Sequence, residues 1–263
     1  GVETSSLPVS KQADWTGRMK KIGILGGVGW ASTVDYYRAI AEGAGRYFAE
    51  RGHGSPLPIP PMTIESVTQA RTRALRGAVG DEASWAGFDA VFRDALLTLE
   101  RAGCDFGIIA SNTPHARLHA IRQGVSMPIL SIFDATAEAT AGTGASKALV
   151  LGTAVTMQAT NYADRLDAEG IAANERLPEP EISEMQAMID SDFYGGASDA
   201  ARARLLAFCD KHASPGTAIL LACTELPLAF PNHLDDPVFE ADGHLFVNPS
   251  AAHVAAALKE ALM

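Results

Sequence analysis

Cysteine is scarce in this chain. There are three in 263 residues, Cys104, Cys209 and Cys223, with no C-x-x-C spacing and no histidine or cysteine cluster at zinc-ligand distances. That argues against a disulfide framework and against a structural metal, and leaves the question of whether any of the three is a nucleophile or a base. Positive charge is also short. The formal net charge is −10 and no long basic run occurs, so neither nucleic acid nor an anionic membrane is favoured as a partner, and a small molecule is the better expectation. A small anionic substrate would then need local positive potential or converging N–H groups in its pocket. No apolar stretch approaches the roughly 20 residues needed to span a bilayer. Residues 1–18 lack the basic start and apolar core of a signal peptide, and Met19-Lys20-Lys21 reads as a native start. These features predict a cytoplasmic protein, with residues 1–18 set aside as an extension.

What is present is an ordinary globular composition, 47% hydrophobic and 20% charged, enough for one large domain or two smaller ones. Apolar β-rich runs alternate with helical patterns, which predicts an α/β fold with a mainly parallel sheet flanked by helices. The expected strands are 21–25, 62–67, 106–110, 128–131, 147–151, 217–222 and 245–247. Phe88, Val91, Phe92, Ala95, Leu96 and Leu99 fall on one face of a helix, and Ala116–Arg122 and Arg202–Lys211 also read as helical. A weak internal symmetry relates Lys21-Ile-Gly-Ile-Leu-Gly-Gly to Lys147-Ala-Leu-Val-Leu-Gly-Thr. The same holds for Phe106-Gly-Ile-Ile-Ala-Ser-Asn-Thr and Thr217-Ala-Ile-Leu-Leu-Ala-Cys-Thr. The offsets differ, as in two diverged halves rather than a short-period solenoid. Two such halves enclose one cleft. Ligands of open α/β sheets sit beyond the carboxyl ends of strands, so Ser111 and Cys223 are expected to face that cleft from opposite sides.

Ser111-Asn112-Thr113-Pro114-His115 follows an apolar strand and opens a helical pattern. Orphan N–H groups at such a start favour a carboxylate, although Ser, Asn and Thr also serve simply as helix caps. Cys223-Thr224-Glu225-Leu226-Pro227 has the same form, and neighbouring N–H groups would lower the thiol from about 8.5 toward neutrality. Cys209 and Cys104 read as inert buried cysteines. Gly26-Gly27-Val28-Gly29-Trp30-Ala31-Ser32-Thr33 matches neither the dinucleotide nor the P-loop fingerprint and reads as a tight turn lining the cleft, with Ser32 or Thr33 near the helix cap.

Four segments together carry a family resemblance: Ile22–Tyr37, Ser111–His115, Leu151-Gly-Thr-Ala-Val-Thr-Met157 and Cys223–Pro227. Their kind, order and spread resemble the aspartate/glutamate racemase family. The resemblance implies two pseudo-symmetric α/β domains, residues 19–128 plus 246–263 and residues 129–245, with the active site between them. It also implies a last helix returning to pack on the first, often a homodimer, and proton chemistry at Cα without pyridoxal phosphate or metal. In the family, two cysteines on opposite faces of Cα exchange protons. Carried over by position, the catalytic pair is Ser111 and Cys223.

Ser111 stands where the family pattern usually has cysteine and where a subgroup has threonine. A serine hydroxyl is almost wholly neutral near pH 7, so as a base it needs another group to take its proton; His115, four residues on, is a candidate. Ser111 is compatible with a racemase of unequal bases, with an engineered replacement of cysteine, and with a one-base reaction such as decarboxylation or double-bond isomerisation of a dicarboxylate. It is also compatible with a disabled relative that only binds a carboxylate. Asn112, Thr113 and Thr224, with Ser32 and Thr33, are the expected substrate contacts. Arg71, with Arg73 beside it, is the candidate for an acidic side chain. Asn248-Pro249-Ser250 departs from the Asp-Thr pair expected near the C-terminus. The resulting expectation is a cofactor-independent racemase of an acidic or otherwise polar amino acid.

Overall fold

The continuous apolar runs become central strands, because strands covered by helices on both faces bury every side chain. β1 (Ile22–Gly26), β3 (Phe106–Ile109) and β6 (Thr217–Leu221) are buried along their whole lengths. The computed structural model describes residues 18–78, 80–173, 177–193 and 197–263; apart from Arg18, the stretch set aside at the start lies outside the described residues.

The first sheet has the order β2-β1-β3, all parallel, with β2 spanning Met62–Ser66. The second has the order β5-β4-β6-β8-β7, built from β4 (Lys147–Leu151), β5 (Ala172–Ala173), β7 (Val238–Ala241) and β8 (His244–Val247). The triplets β2-β1-β3 and β5-β4-β6 are equivalent, as the paired motifs predict. The strand expected at 128–131 shrinks to one parallel bridge between Gly107 and Ile129, beside β3 as β8 lies beside β6. Gly107 N–H donates to Pro128 C=O and Leu130 N–H donates to Gly107 C=O (2.8 and 3.0 Å). The ladder then stops because Ser131 Oγ accepts the N–H groups of Phe133 and Asp134, starting α5 (Ile132–Ala141). β7 was not foreseen. It joins β8 through Asp242-Gly243, both at positive φ (50° and 80°), the backbone of a two-residue hairpin turn.

Helices cover the sheets: α1 (Trp30–Ala49), α2 (Gln69–Ala74), α3 (Ala86–Arg101), the short α4 (Leu118–Ile121), α6 (Ala154–Gln158), α7 (Asn161–Ala168), α8 (Glu179–Met188), α9 (Asp199–His212) and α10 (Pro249–Leu262). The expected helix at 116–122 is a tight turn over Thr113–Arg117 followed by α4. The apolar face of α3 packs with Leu25 and Ile109. α10 packs on both α1 and α5, its Val254, Ala257 and Ala261 joining Ile22, Tyr36, Ile40 and Phe106 in one core.

The turn before α4 is tied to α3 by a buried ion pair. Arg117 Nε and Nη2 donate to Asp89 Oδ1 and Oδ2 (3.1 and 2.6 Å), and Nη1 donates to Glu82 Oε2 (2.6 Å). Asp89 is 5% exposed, so Arg117→Ala leaves an uncompensated buried carboxylate and is expected to cost about 3–5 kcal/mol. Equilibrium unfolding in urea checks this; a loss under about 1 kcal/mol would show that Asp89 finds another partner.

Candidate active site

The first wall of the cleft is the turn between β1 and α1. Gly27 has φ +84°, and a Cβ there would lie 2.1 Å from the Val67 carbonyl oxygen; at Gly26 it would lie 2.3 Å from the Thr33 methyl carbon. Only glycine lets the chain turn this tightly beside β2. Thr33 fixes the turn: its Oγ1 accepts the Gly27 N–H (2.9 Å) and donates to Gly29 C=O (3.2 Å). Thr33 is therefore committed to the backbone and does not line the cleft, contrary to the expectation that it contacts substrate. Ser32, one position earlier, does line it.

A cleft of about 370 Å³ opens at the carboxyl ends of β1, β3, β4 and β6, and Ser32, Ser111, Asn112, Thr113, Cys223 and Thr224 all line it. Six of the eight residues singled out from the sequence thus converge, with Ser111 supplied by one sheet and Cys223 by the other. Arg71 does not. It lies on α2 about 200° around the helix from Gln69, whereas Gln69, Arg73 and, beyond the helix end, Arg76 share the inner side and line the cleft. Partial burial, then the charge of Arg73, lowers the proton affinity of Arg76. A neighbouring, largely apolar pocket between α1 and α10 shares Ser32 and Thr224 but neither Ser111 nor Cys223.

Asn112 is buried, and its Oδ1 accepts from the Tyr162 hydroxyl (2.5 Å). That contact fixes the amide orientation and leaves Nδ2 as the donor end. Burial raises the Tyr162 phenol, which stays a donor. His115 does not assist the Ser111 hydroxyl. Its Nδ1–H donates to the Ser111 carbonyl oxygen (2.7 Å), and burial lowers its pKa to about 4, so a neutral ring serves the backbone and not the reacting group. The ring lies edge-on to that of His253, 5.2 Å between centroids. His253 Nε2–H donates to Leu130 C=O and its Nδ1 accepts from the Tyr36 hydroxyl (3.1 Å each).

Cys223 differs most from expectation. Its thiol is pushed well above the ordinary value, first by burial and then by Glu225; a fall toward neutrality was predicted. The segment after β6 is only a short turn, Leu226–Ala229, too brief to supply a helix dipole, while a carboxylate stands two residues away. Cys223 Sγ–H donates to Glu225 Oε2 and Thr224 Oγ1–H donates to the same oxygen (2.9 Å each). Cys104 and Cys209 are buried away from the cleft, as expected; burial pushes Cys209 up to about 12. Asp190, Gln186, Arg76 and Glu225 also contribute to the polar lining, with Thr153 and Thr156 beside them. Sequence reasoning assigned no role to the first three. Glu225 was visible in the motif, but its hydrogen bond to the thiol was not inferred. Among the described residues no lysine lines this cleft, and no group of three or more His, Cys, Asp or Glu side chains is disposed to hold a metal ion.

The family description Asp/Glu/Hydantoin racemase matches residues 25–257. The broad specificity amino-acid racemase RacX of Bacillus subtilis (strain 168) is 31% identical over 149 residues, 57% of this chain. The chain spans about three-fifths (61%) of the length of that curated relative. Among solved structures, an aspartate racemase homologue from Pyrococcus horikoshii OT3 is 25% identical, covers 93% of this chain and 100% of its own, and superposes with a TM-score of 0.71. The aspartate racemase of Picrophilus torridus, 20% identical over 92% of this chain and 94% of its own, shares the fold with a TM-score of 0.68. With the match running from the end of β1 into α10 and taking in both walls of the cleft, this chain belongs to the Asp/Glu/hydantoin racemase family.

Proposed function

We propose that the protein is a cofactor-independent amino-acid racemase, acting on acidic or other polar amino acids, with Cys223 and Ser111 on opposite faces of the substrate Cα. The observation that supports this most is the delivery of these two residues to one cleft from equivalent strand ends of two equivalent sheets. In the resting site the Cys223 proton is directed at Glu225 Oε2. Passing it to that carboxylate leaves a thiolate that can take the α-proton, forming S–H as the Cα–H bond breaks. Charge on the resulting carbanion spreads into the α-carboxylate, for which Asn112 Nδ2, Thr113 and Thr224 are the donors, with Arg73 and Arg76 supplying positive potential. Ser111 Oγ–H delivers its proton to the opposite face and is reprotonated from solvent, while Glu225 gives up to solvent the proton it took from Cys223, so the site returns to its starting state.

The two faces are unequal, because no hydrogen bond among the described residues activates the Ser111 hydroxyl. In deuterated water, the enantiomer whose Cα–H faces Cys223 is expected to lose its α-proton faster than it inverts. Ser111→Cys should raise inversion about 100-fold, the lower end of the range typical of a positioned acid–base group. NMR of the α-proton with chiral chromatography reads both quantities. Silence across the common L- and D-amino acids would sink the proposal.

A second reading, a one-base decarboxylase or isomerase of a small dicarboxylate, draws on the same unassisted Ser111. Released carbon dioxide or a single enantiomeric product would favour it, and tight carboxylate binding without turnover would favour an inactive relative. The proposal includes two domains that meet at this cleft, with the chain crossing back at Asn248 because β8, with Phe246 and Val247, pairs in the second sheet. It also includes a cytoplasmic homodimer. No helix among the described residues is long and apolar enough to cross a membrane. Exposed Trp30, Val34 and Tyr37 form a stripe on α1, with Ile64 exposed on β2, apolar surface that self-association would cover.

A further inference from the structure

The racemase reading leaves open what holds the substrate's amino group, and the inference here rests on that reading. The turn after β1, Gly26-Gly27-Val28-Gly29, brings no carboxylate to the cleft. Among the described lining residues the carboxylates are Asp190 and Glu225, and Glu225 Oε2 already accepts from both Cys223 and Thr224.

Asp190 is presented by a π-helical turn, Ile189–Phe193, that continues α8. Ile189 and Phe193 are anchored in the apolar core of the second sheet, while Asp190 between them stands exposed in the cleft wall. Such turns recur at functional sites because the extra residue re-aims a side chain without ending the helix. Gln186 holds the carboxylate in place. Its Nε2–H donates to Asp190 Oδ2 (3.0 Å) and its Oε1 accepts the Ala154 N–H (2.9 Å), so Asp190 is tied through Gln186 to the start of α6. Asp190 Oδ1 has no hydrogen bond among the described residues.

We propose that Asp190 accepts the substrate's α-ammonium, so that the cleft selects free α-amino acids over α-hydroxy acids of the same shape. The cations of the cleft, Arg73 and Arg76, come from the α2 segment, while Asp190 comes from the α8 segment of the other half. A zwitterion laid between them has each charge opposite its counter-charge, with Cα between Ser111 and Cys223. The negative charge of Asp190 also adds to the forces that keep the Cys223 thiol protonated. An ammonium docked on it removes that contribution, so the thiol ionises more readily with substrate in place than without it.

The test is equilibrium binding by calorimetry to the wild-type protein and to Asp190→Asn, using L-alanine against L-lactate and L-aspartate against L-malate, alongside α-proton exchange on the same amino acids. The wild type is expected to bind the better amino acid about 10- to 100-fold more tightly than its hydroxy partner, the value of a charge-assisted hydrogen bond. Asp190→Asn should bring that ratio to about one while leaving hydroxy-acid affinity unchanged, and Asp190→Glu should restore part of it. No preference in the wild type, or a preference that survives Asp190→Asn, overturns the inference. A preference that depends on Asp190 without α-proton exchange keeps the inference and removes the racemase reading; exchange with a preference indifferent to Asp190 does the reverse.

Discussion

Cys223→Ala is expected to slow α-proton exchange by about three orders of magnitude, within the range lost when a positioned acid–base group is removed. No other thiol can substitute. Cys104 and Cys209 lie outside the cleft, and burial holds both thiols above their ordinary values. The neighbouring Glu225 carboxylate does not simply replace the sulfur, because its Oε2 stays engaged by the Thr224 hydroxyl and lies a hydrogen-bond length from the position of the lost sulfur. The control is Cys209→Ala, which should leave exchange unchanged. Measurement of kcat and KM separately is informative: an acid–base role lowers kcat, whereas a packing role would appear as a lower Tm. Retention of more than about a tenth of wild-type exchange in Cys223→Ala would remove the sulfur from the mechanism.

The second large effect is on stability against acid. His115 and His253 are 3% and 0% exposed, and burial lowers their pKa values to about 4 and about 3, with His115 adding to the shift of His253. Each titrates near 6.5 in the unfolded chain. Between pH 6.5 and 4 the unfolded state therefore binds protons that the folded state refuses, so stability is full above pH 6.5 and falls as pH falls through that window. Two such groups give a slope of about 2–3 kcal/mol per pH unit and, by pH 4, a loss on the order of 6 kcal/mol, comparable with the whole stability of many domains. His212, lowered by burial and then by Lys211, acts in the same direction. Urea unfolding at steps from pH 7.5 to 4.5 measures the slope. The interval from pH 6.5 to 5 is the telling one, because ordinary carboxylates titrate below it, and a flat curve there would show that the pair is protonated in the folded protein.

Much of this architecture was legible because its central strands are largely or fully buried. An apolar run such as Ala148–Leu151, entered from Lys147, is readily recognised, and β4 has the expected bounds, Lys147–Leu151. The face of α3 was equally plain from its spacing. What escaped detection was decided by a few local atoms. Ser131 ends a would-be strand by capping a helix, and the hairpin pair Asp242-Gly243 is flanked by a strand, Val238–Ala241, too short to show a pattern of its own. In the cleft, motif residues could be placed because strand ends aim them. Arg71 failed on helical phase, since a shift of two residues on a helix is more than half a turn. The Cys223 thiol departs from expectation because burial, and then the carboxylate two positions on, outweigh the neighbouring N–H groups. Asp190 carries no local signal at all; its role depends on one π-helical turn and on Gln186, which no periodicity announces.

The return of α10 has a consequence for how the chain is made. Tyr36 and His253 are hydrogen-bonded across 217 positions, and the flank of the first sheet against α1 is closed by side chains from α10. During synthesis the first sheet emerges early but cannot be sealed until the second has been translated. Ile22, Ile40 and Phe106 wait with an open side while the ribosome completes the rest. Contacts of such long separation are slow to form, and apolar surface exposed in the interval invites chaperones or aggregation. Loss of the last helical turns would therefore damage the part of the protein that was made first.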